Sequence, residues 1–285
     1  MLARTVQVGS LDQNGNFVAI CTGVIRKNGE VATAGHCVTS SSGSRSKPIN
    51  VRIAESNLAV QIYDPKTRKY RTVPVDSGNL LHDQRMDFMN LKVNTGPYNY
   101  PEIRMATESC DQRRLYAAGF GVNEENDGVS ERLRVAQFTQ PRKSENFVKN
   151  VEYDGLDEFF RYGRRQRQED IRLGGNAREN SIVGVYDNDS RVCPGDSGGP
   201  IYCKVNGKFA LAGITTTIRG RLDEPQMIEK RSYACRQYFW MSGISAKGIL
   251  NVEKGIEERD ARIQADKDRN IMERMYAGEE PPGVQ

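Results

Sequence analysis

Short segments rich in Val, Ile, Thr and Tyr recur along most of the chain, and this pattern limits the possible folds more than any other feature of the sequence. Clusters of Gly, Asn, Ser and Pro, such as Gly9–Ser10 and Asn14–Asn16, separate these segments. Many short β-prone segments with turn residues between them are typical of a β-barrel or a β-sandwich. The predicted strands are Thr5–Val8, Phe17–Ile25, Glu30–Thr33, Ile49–Ala54, Leu58–Tyr63, Lys69–Val75, Asp87–Val93, Arg114–Ala118, Leu133–Phe138, Ser181–Tyr186, Pro200–Lys204 and Phe209–Thr217.

A turn-rich segment divides the predicted strands into two groups. At about Asn94–Glu108 the run NTGPYNYPE carries two prolines and a glycine, which predicts a linker. From about Val252 to Met275 the chain is strongly charged, and Ile256, Ile263 and Ile271 are too sparse for a full core face. We predict a charged, largely solvated helix there, with a partner-binding helix as the alternative.

The composition excludes several classes of protein. Among the 285 residues there is no run of about 18 apolar residues, which excludes a membrane protein. Aromatic residues make up 8% of the chain, which argues against wholesale disorder. The net charge is only +4 and the charges are interspersed, so we expect no nucleic-acid partner. The basic cluster Arg161–Gln168 lies in a polar stretch between Arg142 and Asn180, which we interpret as a surface insertion or mobile loop rather than a nucleic-acid or heparin patch.

Six widely spread cysteines favour structural disulfides and an oxidising compartment. None forms a C-x-x-C pair, so a zinc ribbon or a thioredoxin-like site is disfavoured, and we expect no metal. Six cysteines allow 15 pairings, and counting does not choose among them. The start, MLARTVQVGSLD, has no apolar core of a signal peptide. Either the chain stays inside the cell or the sequence begins after a removed leader, and we favour the second, with a secreted or periplasmic location.

Three short segments carry residues that suit nucleophilic catalysis. They are Ala32–Cys37 (ATAGHC), Asp87–Val93 (DFMNLKV) and Cys193–Pro200 (CPGDSGGP). A serine hydroxyl needs a neighbouring base, and that base needs a third group that fixes its tautomer. His82 lies in a polar loop where a surface role suffices, whereas His36 follows an apolar strand. Ser197 lies in a glycine-rich turn whose N–H groups suit a developing oxyanion, although a plain tight β-turn is the alternative for that segment alone.

Together these segments resemble the trypsin/chymotrypsin-like serine peptidases, in which TAGHC and GDSGGP are specific signatures in this order. The resemblance covers about Val6 to Leu250. It implies an all-β, chymotrypsin-like fold of two packed antiparallel β-barrels, followed by a charged helical tail. The expected domains are residues 1–105, residues 106–250 and the tail 251–285. The implied activity is hydrolysis of peptide bonds in a polypeptide substrate through an acyl-enzyme, without a cofactor.

The resemblance also implies a role for individual residues. Ser197 would be the nucleophile, His36 the general base and acid, and Asp87 the group that orients the imidazole. Asp83 is the nearest competitor of Asp87, which we prefer because it begins an apolar strand. The N–H groups of Gly195 and Ser197 would form the oxyanion hole. The implied disulfides are Cys21–Cys37, Cys110–Cys203 and Cys193–Cys235.

The amino-terminal region departs from the family pattern. Zymogen-type members begin, once cut, with an Ile-Val-Gly-Gly-like sequence whose amine pairs with the Asp before the nucleophile, here Asp196. No such start precedes Cys21. Either the segment is missing or another group holds Asp196, and Arg113 and Arg114 are the candidates, because a buried carboxylate without a partner is costly.

The specificity pocket also departs from the family pattern. At the position where trypsins carry Asp the chain has Arg191, which disfavours cleavage after Lys or Arg and would suit an acidic substrate side chain. The alternative is that Asp187 or Asp189 neutralises Arg191, or that Arg191 turns to solvent. The pocket wall is expected at Thr216, Thr217 and Ile218, where a β-branched residue in place of glycine would narrow the pocket.

Some features keep a second function open. A protease homologue that binds a partner without cutting is the alternative to an active peptidase. The polar stretch between Arg142 and Asn180, the loop Arg219–Ala234 and the charged tail are additions that would gate substrates or bind a partner. The oligomeric state stays open at this point.

Overall fold

A computed structural model describes residues 2–40, 50–51, 57–64, 66–83, 87–122, 129–140, 180–186, 191–220 and 238–276. Within these ranges the chain forms fourteen strands, three short 3-10 helices and one α-helix. The strands are Thr5–Leu11 (β1), Phe17–Lys27 (β2), Glu30–Ala34 (β3), Thr39–Ser40 (β4), Asn50–Val51 (β5), Leu58–Asp64 (β6), Lys69–Asp83 (β7), Phe88–Val93 (β8), Arg114–Gly119 (β9), Arg134–Thr139 (β10), Ser181–Tyr186 (β11), Pro200–Val205 (β12), Lys208–Gly220 (β13) and Tyr238–Ser245 (β14). The 3-10 helices are Leu2–Arg4, Gly35–Cys37 and Asp111–Arg113, and the α-helix is Ala246–Tyr276 (α1).

The first half of the chain forms a closed antiparallel barrel in the order β1-β2-β3-β8-β7-β6. Its interior is filled by branched apolar residues from successive strands, including Val6, Val8, Ile25 and Leu91. Strand side chains alternate between the two faces of a sheet, so Val24 and its neighbour Ile25 point in opposite directions. Ile25 packs inside the barrel, whereas Val24 packs against the second half of the chain.

The second half forms another closed barrel in the order β10-β11-β14-β13-β12-β9. All neighbouring strands in this barrel pair antiparallel. Strands β12, β13 and β14 form a meander, and a short turn connects β12 to β13. Phe138, Leu115, Ile201 and Met241 are fully buried in its interior. The predicted all-β architecture of two antiparallel barrels is confirmed.

The two barrels pack together through an apolar layer between them. Val24, Ala32 and Phe88 from the first barrel contact a cluster that includes Leu211 and Ile214 from the second. The connecting segment passes over this boundary without regular secondary structure, as the Pro- and Gly-rich sequence predicts. The N–H of Ile103 in that segment donates to the Arg26 carbonyl at 2.7 Å. The linker is therefore tied to the first barrel before the second begins, while the exact boundaries at 105 and 250 stay predictions.

Helix α1 begins at Ala246, before the predicted start of the charged tail at 251, whose boundary stays a prediction. Its first turns are buried because Ile249, Val252 and Ile256 join the apolar layer between the barrels. Farther along, residues 257–270 are exposed, and 48% of Ile263 is accessible to solvent. The predicted charged helix is confirmed, but Ile256 serves as a core residue.

An ion pair also attaches α1 to the first barrel. Both terminal nitrogens of Arg26 donate to the carboxylate of Glu253. The Arg26 side chain is only 4% exposed and that of Glu253 is 21% exposed. The helix is therefore a fixed part of the fold at its start. None of the described helices combines the length and the apolar composition needed to cross a membrane.

Several strands differ from their predicted extents. Strand β14 was not predicted, and the predicted strand Ile49–Ala54 is described only at Asn50–Val51. Most of the polar stretch between Arg142 and Asn180, with the basic cluster Arg161–Gln168, lies outside the described residues, as does most of the loop Arg219–Ala234. Their predicted roles stay predictions.

Candidate active site

His36 and Asp87 lie at the adjoining ends of two paired strands. His36 occupies the 3-10 turn that follows β3, and Asp87 directly precedes β8. Strands β3 and β8 pair antiparallel with Ala34 opposite Phe88, which brings the residues beyond these ends together. Asp83 lies on β7, where it pairs with Phe88 across the edge of β8 that faces away from β3, and the preference for Asp87 stays a prediction.

The Asp87 carboxylate contacts His36 at two points. Its Oδ2 lies 2.7 Å from the ring Nδ1, and its Oδ1 accepts a hydrogen bond of 2.8 Å from the His36 backbone N–H. The Asp87 carbonyl accepts a further bond of 3.0 Å from the N–H of Gly35. An Nδ1–H that donates to a carboxylate leaves the lone pair on Nε2, which is the tautomer that a general base needs.

Asp87 holds this position with an unusual backbone. Its φ is +51°, in the left-handed region that non-glycine residues rarely adopt. Asp and Asn tolerate this region better than other residues, because their short side chains make local hydrogen bonds. Both side chains are partly exposed, 30% for His36 and 28% for Asp87, so the ring lies at the edge of the barrel rather than in its core.

The turn that carries Ser197 is pressed against the first barrel. The Ser197 carbonyl accepts a hydrogen bond of 2.9 Å from the N–H of Thr22, and it lies 3.6 Å from the sulfur of Cys37. At Gly198 (φ +81°) a Cβ would lie 2.1 Å from Thr33 Oγ1, so only glycine fits there. Ser197 is thus placed beside the residue that follows His36.

The Ser197 hydroxyl itself is not yet bonded to the histidine. Among the hydrogen bonds of the described residues, none joins Ser197 Oγ to the His36 ring. Catalytic hydrogen bonds of this type are often long without substrate and tighten when it binds. His36 and Asp87 are thus in contact, and the catalytic roles of His36, Asp87 and Ser197 stay predictions.

The backbone N–H groups of the turn fall into two sets. The N–H of Asp196 donates to the Cys193 carbonyl at 3.0 Å, and that of Gly198 to the Thr215 carbonyl at 2.6 Å. Within the described part of the chain, the N–H groups of Gly195 and Ser197 donate to no acceptor. These two groups are the predicted oxyanion hole, and donors left without an acceptor are what an oxyanion requires.

In the described part of the chain, backbone N–H groups hydrogen-bond to the Asp196 carboxylate and no arginine does. Its Oδ1 accepts from the N–H of Gly121 at 2.6 Å, and its Oδ2 from the N–H of Cys193 at 2.8 Å. A Cβ at Gly119 or Gly121 would lie 2.1 or 2.3 Å from a carboxylate oxygen, so both glycines are needed for the close approach. Burial raises the pKa of Asp196 to about 6, against the opposing effects of the two N–H groups and the charge of Arg134.

The prediction that Arg113 or Arg114 pairs with Asp196 is therefore wrong. The Arg113 guanidinium donates to the Gln140 carbonyl at 3.1 Å, and Arg114 is exposed on β9. Two consecutive arginines at a strand start are visible in the sequence, whereas the partners of Asp196 are the backbone N–H groups of nearby Cys193 and distant Gly121, which leave no sequence signal.

Two of the implied disulfides are confirmed, Cys21–Cys37 and Cys110–Cys203. Cys193 is also disulfide-bonded, and its implied partner Cys235 lies outside the described residues. The sulfurs of Cys21 and Cys37 lie within 4.8 Å of a ring nitrogen of His36. Because these sulfurs are bonded to each other, neither is a thiolate that could hold a metal ion there.

The predicted specificity pocket is only partly described. Arg191 is half-buried and interacts with its surroundings. Thr216 is half-buried too and follows Thr215, whose carbonyl is bonded to the nucleophile turn. The side chains of Thr217 and Ile218, and the residues Asp187 and Asp189, lie outside the described set. The acidic preference stays a prediction.

Sequence reasoning missed Thr22. It is fully buried in β2, and it contacts both the nucleophile turn and the second barrel. A hydroxyl residue directly after a cysteine in an apolar strand was the available signal, although that signal does not identify its partners.

Two closed antiparallel barrels with a histidine–aspartate pair and a GDSGG turn at their boundary define a serine-protease-like fold. The family model described as Trypsin matches residues 4–230, and the chain belongs to this family. The resemblance stated from the two signature motifs is thereby confirmed.

The chain is also similar to chymotrypsin-like elastase family member 1 from several mammals. It is 22% identical to the Felis catus protein over 212 residues, which cover 72% of this chain and 70% of that protein. It is 22% identical to the Rattus norvegicus protein over 215 residues, with the same coverage of 72% and 70%. The Bos taurus protein is 23% identical over 209 residues, which cover 70% of this chain and 68% of that protein.

Proposed function

We propose that this protein is a serine endopeptidase that hydrolyses peptide bonds through an acyl-enzyme intermediate. The observation that carries the proposal is the double attachment of His36 to Asp87, through the ring Nδ1 at 2.7 Å and the backbone N–H at 2.8 Å. A surface histidine needs no such orientation, whereas a general base does.

The reaction uses the groups at the barrel boundary in sequence. His36 Nε2 takes the proton of Ser197 as its Oγ attacks the scissile carbonyl carbon, and Asp87 stabilises the imidazolium. The N–H groups of Gly195 and Ser197 bind the oxyanion, and one such donor is worth about 3 kcal/mol in the transition state. His36 then protonates the leaving amine. In deacylation His36 takes a proton from the water that attacks the acyl carbon, and it returns that proton to Ser197 Oγ as the acyl group leaves.

Substrate and location belong to the same proposal. The substrate is a polypeptide, and the positive charge of Arg191 disfavours Lys or Arg as the residue before the cleaved bond. Structural disulfides favour an oxidising compartment, so the protein acts in a secreted or periplasmic setting.

One observation favours a second candidate, a protease homologue that binds a partner without cutting. In the described part of the chain the Ser197 hydroxyl makes no hydrogen bond to His36. A turn locked in this arrangement would leave the serine without its base.

Labelling with a fluorophosphonate probe distinguishes the two candidates. We expect labelling of the wild type, loss of labelling in Ser197→Ala and His36→Ala, and retention in Ser109→Ala, an exposed serine away from the turn. Cleavage profiling on a peptide library then gives the residue preference. A correctly folded wild type that stays unlabelled would support the binding module.

A further inference from the structure

Thr22 lies where the two barrels meet the nucleophile turn. It is fully buried in β2, directly after Cys21. Its hydroxyl donates to the Gly195 carbonyl at 2.8 Å and accepts from the Phe120 N–H at 3.1 Å. One hydroxyl thus joins the first barrel to two separate segments of the second, which are 173 and 98 residues away in sequence.

The backbone of Thr22 makes a third attachment. Its N–H donates to the Ser197 carbonyl at 2.9 Å. Its carbonyl accepts from the Thr33 hydroxyl at 2.8 Å, which fixes Thr22 to the neighbouring strand β3. Thr22 is therefore itself held rigidly within the first barrel.

The two carbonyls that Thr22 holds belong to the two residues whose N–H groups are left without an acceptor among the described residues, Gly195 and Ser197. Gly195 has a φ of +99° and no side chain to limit its rotation, so an external group must fix its orientation. The Gly195 N–H itself belongs to the preceding peptide group, whose Pro194 carbonyl accepts from the Val122 N–H at 2.9 Å. Thr22 holds the peptide group on the other side of Gly195, so both peptide groups next to this glycine are fixed.

We propose that Thr22 is a positioning residue for the oxyanion hole. Its hydroxyl holds the peptide group after Gly195 and its N–H holds the peptide group after Ser197, so that the backbone of both residues is restrained before substrate binds. This inference rests on the proposed peptidase activity. It makes transition-state stabilisation depend on a contact between the two barrels and not on the turn alone.

The neighbouring hydrogen bond to the Asp196 carboxylate supports this assignment. Phe120 and Gly121 are consecutive residues whose N–H groups reach the Thr22 hydroxyl and the Asp196 carboxylate, respectively. The hydroxyl must both donate and accept at this point, which only Ser and Thr do in that small space. A valine at position 22 would keep the shape and leave the half-buried Gly195 carbonyl and the buried Phe120 N–H without this hydroxyl partner.

The test compares Thr22→Val with the conservative Thr22→Ser. We expect Thr22→Val to lower kcat on a peptide substrate by about 10- to 100-fold with KM changed by less than about threefold, because the lost interaction acts in the transition state. Thr22→Ser keeps the hydroxyl and should stay within about threefold of the wild type on the same scale. The control is Asn90→Ala on β8, which removes a buried side-chain amide that donates to Glu30 at 3.3 Å. It should lower stability and leave kcat unchanged.

A measurement independent of activity separates this inference from the proposed function. Hydrogen exchange of the Phe120 amide should be faster in Thr22→Val and near the wild-type rate in Thr22→Ser. Unchanged exchange, or an equal loss of kcat in both variants, overturns the positioning role. If the wild type has no activity, the proposed function and the catalytic role of Thr22 fail together. Faster exchange in Thr22→Val would then support only the structural contact between Thr22 and Phe120.

Discussion

Gly198 packs directly against the first barrel at the site, and replacing this glycine tests how tightly the two barrels are packed there. A Cβ at Gly198 would lie 2.1 Å from Thr33 Oγ1, 2.3 Å from the Thr22 carbonyl oxygen and 2.8 Å from the Ala34 nitrogen. Two of these three atoms belong to the backbone, so rotation of a side chain cannot relieve the overlap. Gly198→Ala therefore either pushes the barrels apart or displaces the Ser197 turn.

Gly207 offers a matched control for the backbone cost. Its φ is +74°, close to the +81° of Gly198, and a Cβ there would meet nothing within 4 Å. A left-handed backbone costs an L-residue about 1–2 kcal/mol, and both alanine variants share this cost. Overpacking adds about 1–3 kcal/mol in Gly198→Ala alone, so its total loss is about 2–5 kcal/mol.

Urea denaturation measures both losses, and fluorophosphonate labelling reports the state of the Ser197 turn. We expect Gly198→Ala to lose at least about 1 kcal/mol more than Gly207→Ala and to label far more slowly. Gly207→Ala should label at the wild-type rate. Equal losses in the two variants, with equal labelling, would refute the tight contact between turn and barrel on which the site depends.

Three further predictions concern charged groups. Asp87→Asn should lower the rate of labelling by about 10³- to 10⁴-fold, because the amide cannot hold His36 in the required tautomer, and a loss below tenfold would contradict the assigned role. Burial raises the pKa of Asp196 to about 6, above its value in the unfolded chain. The contribution of its protonation to the free energy of unfolding is therefore fully present below about pH 4 and is lost as the pH rises through 6. Denaturation at pH 5 and pH 7.5 should therefore show a larger loss for the wild type than for Asp196→Asn, and equal pH dependence would contradict this. Glu253→Ala leaves the buried Arg26 without its partner and should cost about 3–5 kcal/mol in urea denaturation, whereas Arg26→Met, which leaves the more accessible carboxylate, should cost less.

The sequence by itself determined the fold class and the family. The pattern that predicts a strand is formed by residues close together in the chain. Most predicted strands, from Thr5–Val8 to Phe209–Thr217, therefore fall within observed ones. The motifs TAGHC and GDSGGP are equally local, and they led to His36 and Ser197 before any contact was known.

The helical tail shows where local patterns stop being informative. The charged pattern predicted a helix correctly, but burial of Ile256 depends on the barrel surface that α1 meets. Strand β14 was missed for a related reason, since Tyr238–Ser245 is a strand through its pairing with β11 and β13. Tertiary context decides both cases.

Only the tertiary structure decided what holds the site together. The partners of Asp196 are backbone N–H groups, which every residue except proline carries and which therefore leave no signal in the sequence. The Thr22 hydroxyl bonds to Gly195 and Phe120, and these contacts exist only once two barrels far apart in sequence have packed. A residue's identity limits what it can bond to, but the fold determines which of those bonds form.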